Sequence, residues 1–159
     1  MVILNTLHFK ISLFLFFSII INLLPFPDMI NSCRPPILLL VLIYWSLAYP
    51  NKINLTYAFI TGIIMDILLV TPLGFYALTH VITIYLITIY YPQIRLQSHI
   101  NKMFSLFIIL IPYIFMSTVL NDILEIQYNI LNIIFSVIIS VIIWPVLFHF
   151  LRIFRQKYV

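Results

Sequence analysis

Residues 54–74 read NLTYAFITGIIMDILLVTPLG, and the fold turns on them. They hold the only two glycines of the chain, Gly62 and Gly74, and between these stands Asp66, with Ile63, Ile64 and Met65 before it and Ile67, Leu68, Leu69 and Val70 after it. A carboxylate at the centre of a membrane helix costs about 2.5–3.5 kcal/mol on insertion scales. A chain with only four acidic residues keeps one there for a reason. On a helix, Asn54, Ala58, Gly62 and Asp66 follow one another at intervals of four and form an inclined ridge of small and polar side chains. In lipid such a ridge is where a second helix backbone comes close, because packing rather than hydrophobicity must hold helices together there. The rest of the chain is expected to pack around this helix.

Composition sets the class. Of 159 residues, 64% are hydrophobic and 8% charged, where a soluble domain carries about 25% charged residues. The expectation is an all-α integral membrane protein. The net charge of +4 does not suggest nucleic acid, because the basic residues are scattered between apolar runs as topology signals are. A lone cysteine, Cys33, excludes an internal disulfide. The apolar run 11–24 after Lys10 is read as a retained helix, since Pro25, Phe26, Pro27 and Asp28 make a poor signal-peptide cleavage site.

Six apolar runs can be marked, at about 7–24, 36–49, 55–70, 75–91, 103–120 and 130–151. They predict a compact six-transmembrane-helix bundle in a single domain, 1–159, with kinks at Pro112 and Pro145. Runs two and three reach only about 21–24 Å at ~1.5 Å per residue, against a hydrocarbon core of ~30 Å. Charge still favours six spans. One side then receives Lys10, Lys52, Arg95, Lys102, Arg152, Arg155 and Lys157, and the other only Arg34, so both termini are expected in the cytoplasm. Asp28, Asp122 and Glu125 fall outside. The connectors 50–54 and 71–74 are tight turns, which makes helices two, three and four neighbours.

Asp66 lies towards the outer face, at a depth similar to His80 on the returning helix, and Arg34 opens helix two from that side. An Asp66–Arg34 or Asp66–His80 contact that fixes helix register is the favoured reading. A ligand cavity or a partner helix comes second. Proton transport comes last, because a relay needs several ionisable groups along its path. Gly62 is read as a close-packing position, and Gly74, after Pro72, as a turn residue at positive φ. Tyr44, Trp45 and Trp144 are read as interfacial belt or packing residues. Asn132, Ser136, Ser140 and Trp144 form a second ridge, expected to make interhelical contacts. Arg152, Arg155 and Lys157 read as a basic tail attracted to anionic membrane lipid. The four histidines, His8, His80, His99 and His149, show no paired metal-binding spacing, and no catalytic or phosphate-loop motif occurs. No cofactor is implied.

Taken together, residues 34–86 resemble the MreD family of bacterial rod shape-determining membrane proteins. The features that carry the likeness are Arg34-Pro35 before helix two, then Leu42-Ile43-Tyr44-Trp45, Leu47-Ala48 and Pro50. Asn54, Gly62 four residues before Asp66, and Leu73-Gly74 follow, with Pro25, Pro27-Asp28 and Trp144-Pro145 in outline. The resemblance implies a non-enzymatic component of the cell-wall elongation machinery in the bacterial inner membrane. It implies binding to MreC, a single-span protein, and through it a link from MreB filaments to RodA and a penicillin-binding transpeptidase. It also implies a fold similar to the substrate-binding subunits of energy-coupling-factor transporters. No family role is carried onto His80. On this reading Arg34, Asn54, Gly62, Asp66 and Gly74 maintain the shape of the bundle. The rival is a small-molecule-binding subunit of a vitamin-type transporter, with an outer cavity floored near Asp66.

Overall fold

The computed structural model describes residues 2–25, 33–125 and 129–158. These residues form helices and no strand: α1 Val2–Leu23, α2 Ile37–Ala48, α3 Leu55–Leu68, α4 Phe75–Leu96, α5 His99–Ile109, α6 Ile111–Ile123 and α7 Ile130–Tyr158. Pro27 and Asp28 lie outside the described residues. Phe75–Leu96, Ile100–Ile123 and Ile130–Lys157 are long and apolar enough to cross a membrane, whereas His8–Leu23, Ile37–Ala48 and Leu55–Leu68 are apolar but shorter.

The helix at the centre is α2, not α3. Its sequence ILLLVLIYWSLA has no polar face, and a helix that is apolar all round is driven into the interior. Every residue from Leu38 to Ser46 is buried, with none more than 3% exposed. α1, α4 and α7 enclose it. α1 contributes Ile11, Leu15, Ser18 and Ile19, which share one helical face. At 12 residues and ~1.5 Å per residue α2 is only about 18 Å long, a length that suffices because its neighbours rather than lipid surround it. α3 is instead an edge element that packs chiefly on α4 and leaves Phe59, Ile60 and Ile67 exposed.

The aromatic residues of α2 are core, not belt. Tyr44 meets Phe148 of α7 edge-on at 5.2 Å, and Trp45 packs on Phe14 of α1 at 5.9 Å and stacks on Tyr49 at 6.0 Å. Trp144 is also buried. Two proline expectations come out differently. Pro112 marks a break at Leu110, where α5 stops and α6 begins with proline in its first turn, a position at which the missing N–H is not needed. Pro92, one residue past the apolar run 75–91, lies inside α4, which continues to Leu96 at the loss of one backbone hydrogen bond. α7 likewise runs through Pro145 and carries Arg152 and Arg155 on its last turns rather than on a tail.

Side-chain contacts sort the helix termini into two ends. Arg34, ahead of α2, bonds the carbonyls of Ile21 and Leu24 at the end of α1, and its own carbonyl accepts a hydrogen bond from Ser136 early in α7. At the other end His8 of α1 hydrogen-bonds Tyr57 near the start of α3 at 2.6 Å, and Phe14 of α1 meets Phe154 of α7 at 4.6 Å. Ser136 is thus an interhelical contact, as the second ridge predicts. Ser140 is not, because its hydroxyl turns back to the Ser136 carbonyl.

Candidate functional site

The hairpin of α3 and α4 is the most closely packed pair in the bundle, and Gly62 is the reason. A Cβ built on Gly62 would lie 2.2 Å from Ala77 Cα, 2.5 Å from Ala77 N and 2.8 Å from the Tyr76 carbonyl carbon. The two backbones touch there. One turn further along the same face stands Asp66, 1% exposed.

That approach brings the Asp66 carboxylate onto the start of α4. Its Oδ1 accepts from the Tyr76 amide at 2.8 Å and the Thr71 hydroxyl at 3.0 Å. Its Oδ2 accepts from the Gly74 amide at 2.9 Å and the Ala77 amide at 3.3 Å. The first N–H groups of a helix have no partner within it, and the helix dipole places positive charge at the same spot. Asp66 therefore caps α4 from the neighbouring helix. The expected pairing with Arg34 or His80 is not formed, because the carboxylate takes its donors from its own hairpin. His80 faces Thr61 instead, with Nδ1 3.3 Å from the hydroxyl. Thr61 also bonds the carbonyls of Tyr57 and Ala58.

The turn is shaped for this geometry. Val70 takes a positive φ of 54° as α3 ends, and Gly74, the cap residue of α4, a φ of 99°. A Cβ on Gly74 would meet nothing within 4 Å, so backbone conformation alone demands glycine there. Gly74→Ala is expected to lower stability by about 1–2 kcal/mol, with Gly74→Asn milder, as read by thermal unfolding in detergent. Asn54 does not extend the ridge into a contact. It is the exposed N-cap of α3, its side-chain oxygen accepting from the Thr56 amide at 3.2 Å.

Arg34 is the counterpart at the opposite pole of a helix. Its Nη1 donates to the Leu24 carbonyl at 3.0 Å and its Nη2 to the Ile21 carbonyl, so a cation sits on the last carbonyls of α1, where the dipole favours it. Burial lowers the guanidinium pKa, and the nearby Tyr113 raises it. Arg34→Gln is expected to cost about 1–3 kcal/mol. Arg34→Lys should restore less than half of that, because an ammonium cannot fork across two carbonyls. The same unfolding measurement reads both.

Asp66 and Arg34 thus each sit on a helix end of opposite sign. Four of the five sequence-selected residues, Gly62, Asp66, Gly74 and Asn54, belong to the α3–α4 hairpin. Arg34 acts separately, tying α1, α2 and α7. The residues that sequence reasoning missed are Thr71, Tyr76 and Ala77. The small residue Ala77, opposite Gly62, was the available signal. Beside this end lies a cavity of about 280 Å³ whose polar lining includes Arg34, Tyr76, His80, Tyr113 and Ser136, with Asp66 outside it.

Comparison with known proteins gives one answer over nearly the whole chain. The family model for the rod shape-determining protein MreD matches residues 3–154. The rod shape-determining protein MreD of Haemophilus influenzae is 28% identical over 153 residues, covering 94% of this chain and 92% of that protein. No solved structure matches.

Proposed function

Since the chain belongs to the MreD family of rod shape-determining membrane proteins, we propose that it is a non-enzymatic scaffold of the cell-wall elongation machinery. In this reading it docks the membrane helix of a single-span MreC-like partner and so helps link MreB filaments to RodA and a penicillin-binding transpeptidase. The whole chain acts as one domain of six spans in the bacterial inner membrane, akin to the substrate-binding subunits of energy-coupling-factor transporters. Both termini face the cytoplasm. The convergence of Arg95, Lys102, Arg152 and Arg155 at one end supports this orientation, because basic residues collect on the cytoplasmic side.

The observation that carries the scaffold reading is the state of Asp66. Its carboxylate meets four donors of its own hairpin, and Arg34 binds the end of α1. Asp66 and Arg34 are thus both engaged within the bundle. The transporter-like alternative has the outer cavity of about 280 Å³ in its favour, but Asp66, which that reading places at the cavity floor, is not part of its lining.

Co-purification tests the proposal. The tagged chain, expressed with the MreC-like and RodA-like proteins of the same genome and extracted in mild detergent, is expected to retain the MreC-like protein. Replacing that partner's transmembrane helix by polyleucine should abolish retention. Recovery of the well-folded chain alone would contradict the scaffold reading and favour the transporter-like one.

A further inference from the structure

We propose that the end of the bundle opposite Asp66 carries a binding site for an anionic phospholipid, its phosphate in a basic cavity and an acyl chain in the apolar groove beside it. The proposal rests on the reading that this end lies at a membrane surface.

The cavity, of about 320 Å³, is enclosed by the C-terminal parts of α2, α4 and α7 and by α5. Arg95, Lys102, Arg152 and Arg155 line it, and no carboxylate among the described residues does. Aromatic rings hold two of these cations in place. The Arg155 guanidinium lies 6.0 Å from the centre of the Tyr44 ring, and the Lys102 ammonium 5.7 Å from that of Phe148. Such contacts position a cation without neutralising it. Tyr44 also lines the cavity, and its buried hydroxyl has no hydrogen-bond partner. Four cations drawn from three helices converge on one cavity and give it the charge of an anion site.

The adjoining groove identifies the kind of anion. It runs along α7 past Pro145, Val146 and Ile153, has a volume of about 600 Å³, and shares Lys102, Trp144, Phe148 and Arg152 with the cavity. An acidic peptide or a free phosphate would fill the cavity and leave the groove empty. A phospholipid fills both. The sequence separates the two functions along α7, with Pro145, Val146 and Ile153 towards the groove and Arg155 towards the cavity.

The test uses the full chain in mild detergent with brominated phospholipids, read by tryptophan fluorescence. Trp144 borders both compartments, and Trp45, the other tryptophan, is sealed in the core at 0% exposure. Brominated phosphatidylglycerol should quench at concentrations about tenfold or more below brominated phosphatidylcholine, the preference expected when several cations act together. The quench should disappear in Trp144→Phe. The pair Arg152→Gln/Arg155→Gln should weaken the phosphatidylglycerol response about tenfold or more, and Arg152→Lys/Arg155→Lys should keep it. Lys10→Gln/Lys52→Gln removes two cations of the same end that do not line the cavity and should leave the response unchanged. Inorganic phosphate should not displace the lipid at equal concentration.

Equal quenching by phosphatidylcholine, an equal loss in the Lys10/Lys52 pair, or displacement by inorganic phosphate would each overturn the proposal. Because the chain is tested alone, failure here is distinct from failure to retain an MreC-like partner.

Discussion

Gly62→Leu is expected to leave almost no folded protein. The first added carbon would lie 2.2 Å from Ala77 Cα and 2.5 Å from Ala77 N. Both are backbone atoms, so no rotamer change relieves the contact and the helices must separate. Overpacking of a core costs about 1–3 kcal/mol even when side chains can adjust. Here separation also draws Asp66 away from the amides of Tyr76 and Ala77, 2.8 and 3.3 Å distant. Gly62→Ala should therefore already lower stability by about 2–4 kcal/mol, the overpacking cost plus part of the lost capping bonds. Gly62→Leu should abolish both accumulation and rod shape. Gel filtration in detergent and complementation of a strain lacking the gene read the two effects. Normal production of Gly62→Leu with rod shape sustained would show that helix contact at this position is not needed.

Asp66→Asn is expected to lose about 2–4 kcal/mol, although it is nearly isosteric. The amide keeps one acceptor oxygen and turns an NH₂ group towards N–H donors of Gly74, Tyr76 or Ala77, so some of those donors lose their partner. Asp66→Leu should be worse, because all three amides lose their acceptor where lipid offers no replacement. Thermal unfolding in detergent gives the order wild type, Asn, Leu. Since Gly62 holds the backbone at the distance the cap needs, Gly62→Ala and Asp66→Asn should combine non-additively, the second change costing less in the presence of the first. Additive losses would separate the two residues into independent devices.

Much of this hairpin was legible in the sequence. Gly62 four residues before Asp66 puts both on one helix face, and the two glycines of an Ile-rich chain mark one close helix contact and one backbone position at positive φ. What Asp66 touches was not legible. Its partners include the backbone amides of residues 74, 76 and 77, and an amide is present at every non-proline residue, so it leaves no signature. Arg34 and His80 drew attention because their side chains are visible in a sequence, yet Arg34 serves α1 and His80 faces Thr61. The central position of α2 escapes the sequence for a related reason. A polar ridge is conspicuous and a uniformly apolar helix is not, but an absent polar face is itself the mark of a helix enclosed on all sides. The basic end was partly legible. Arg152 and Arg155 were seen as cations, but their convergence with Arg95 and Lys102 depends on α4 continuing through Pro92 and α7 through Pro145. A proline lowers the helix probability locally without forbidding the helix.

We propose that Asp66 holds the bundle in shape and does not act on a ligand or a proton. The most direct measurement takes folded fraction and rod-shape rescue from the same cells for wild type, Asp66→Asn, Asp66→Ser and Asp66→Leu. The two quantities should fall together along the series, and any variant recovered in folded form should sustain rod shape in proportion to its amount. A variant as stable and abundant as wild type that leaves the cells round would contradict that role, because the carboxylate would then be needed for something other than the fold.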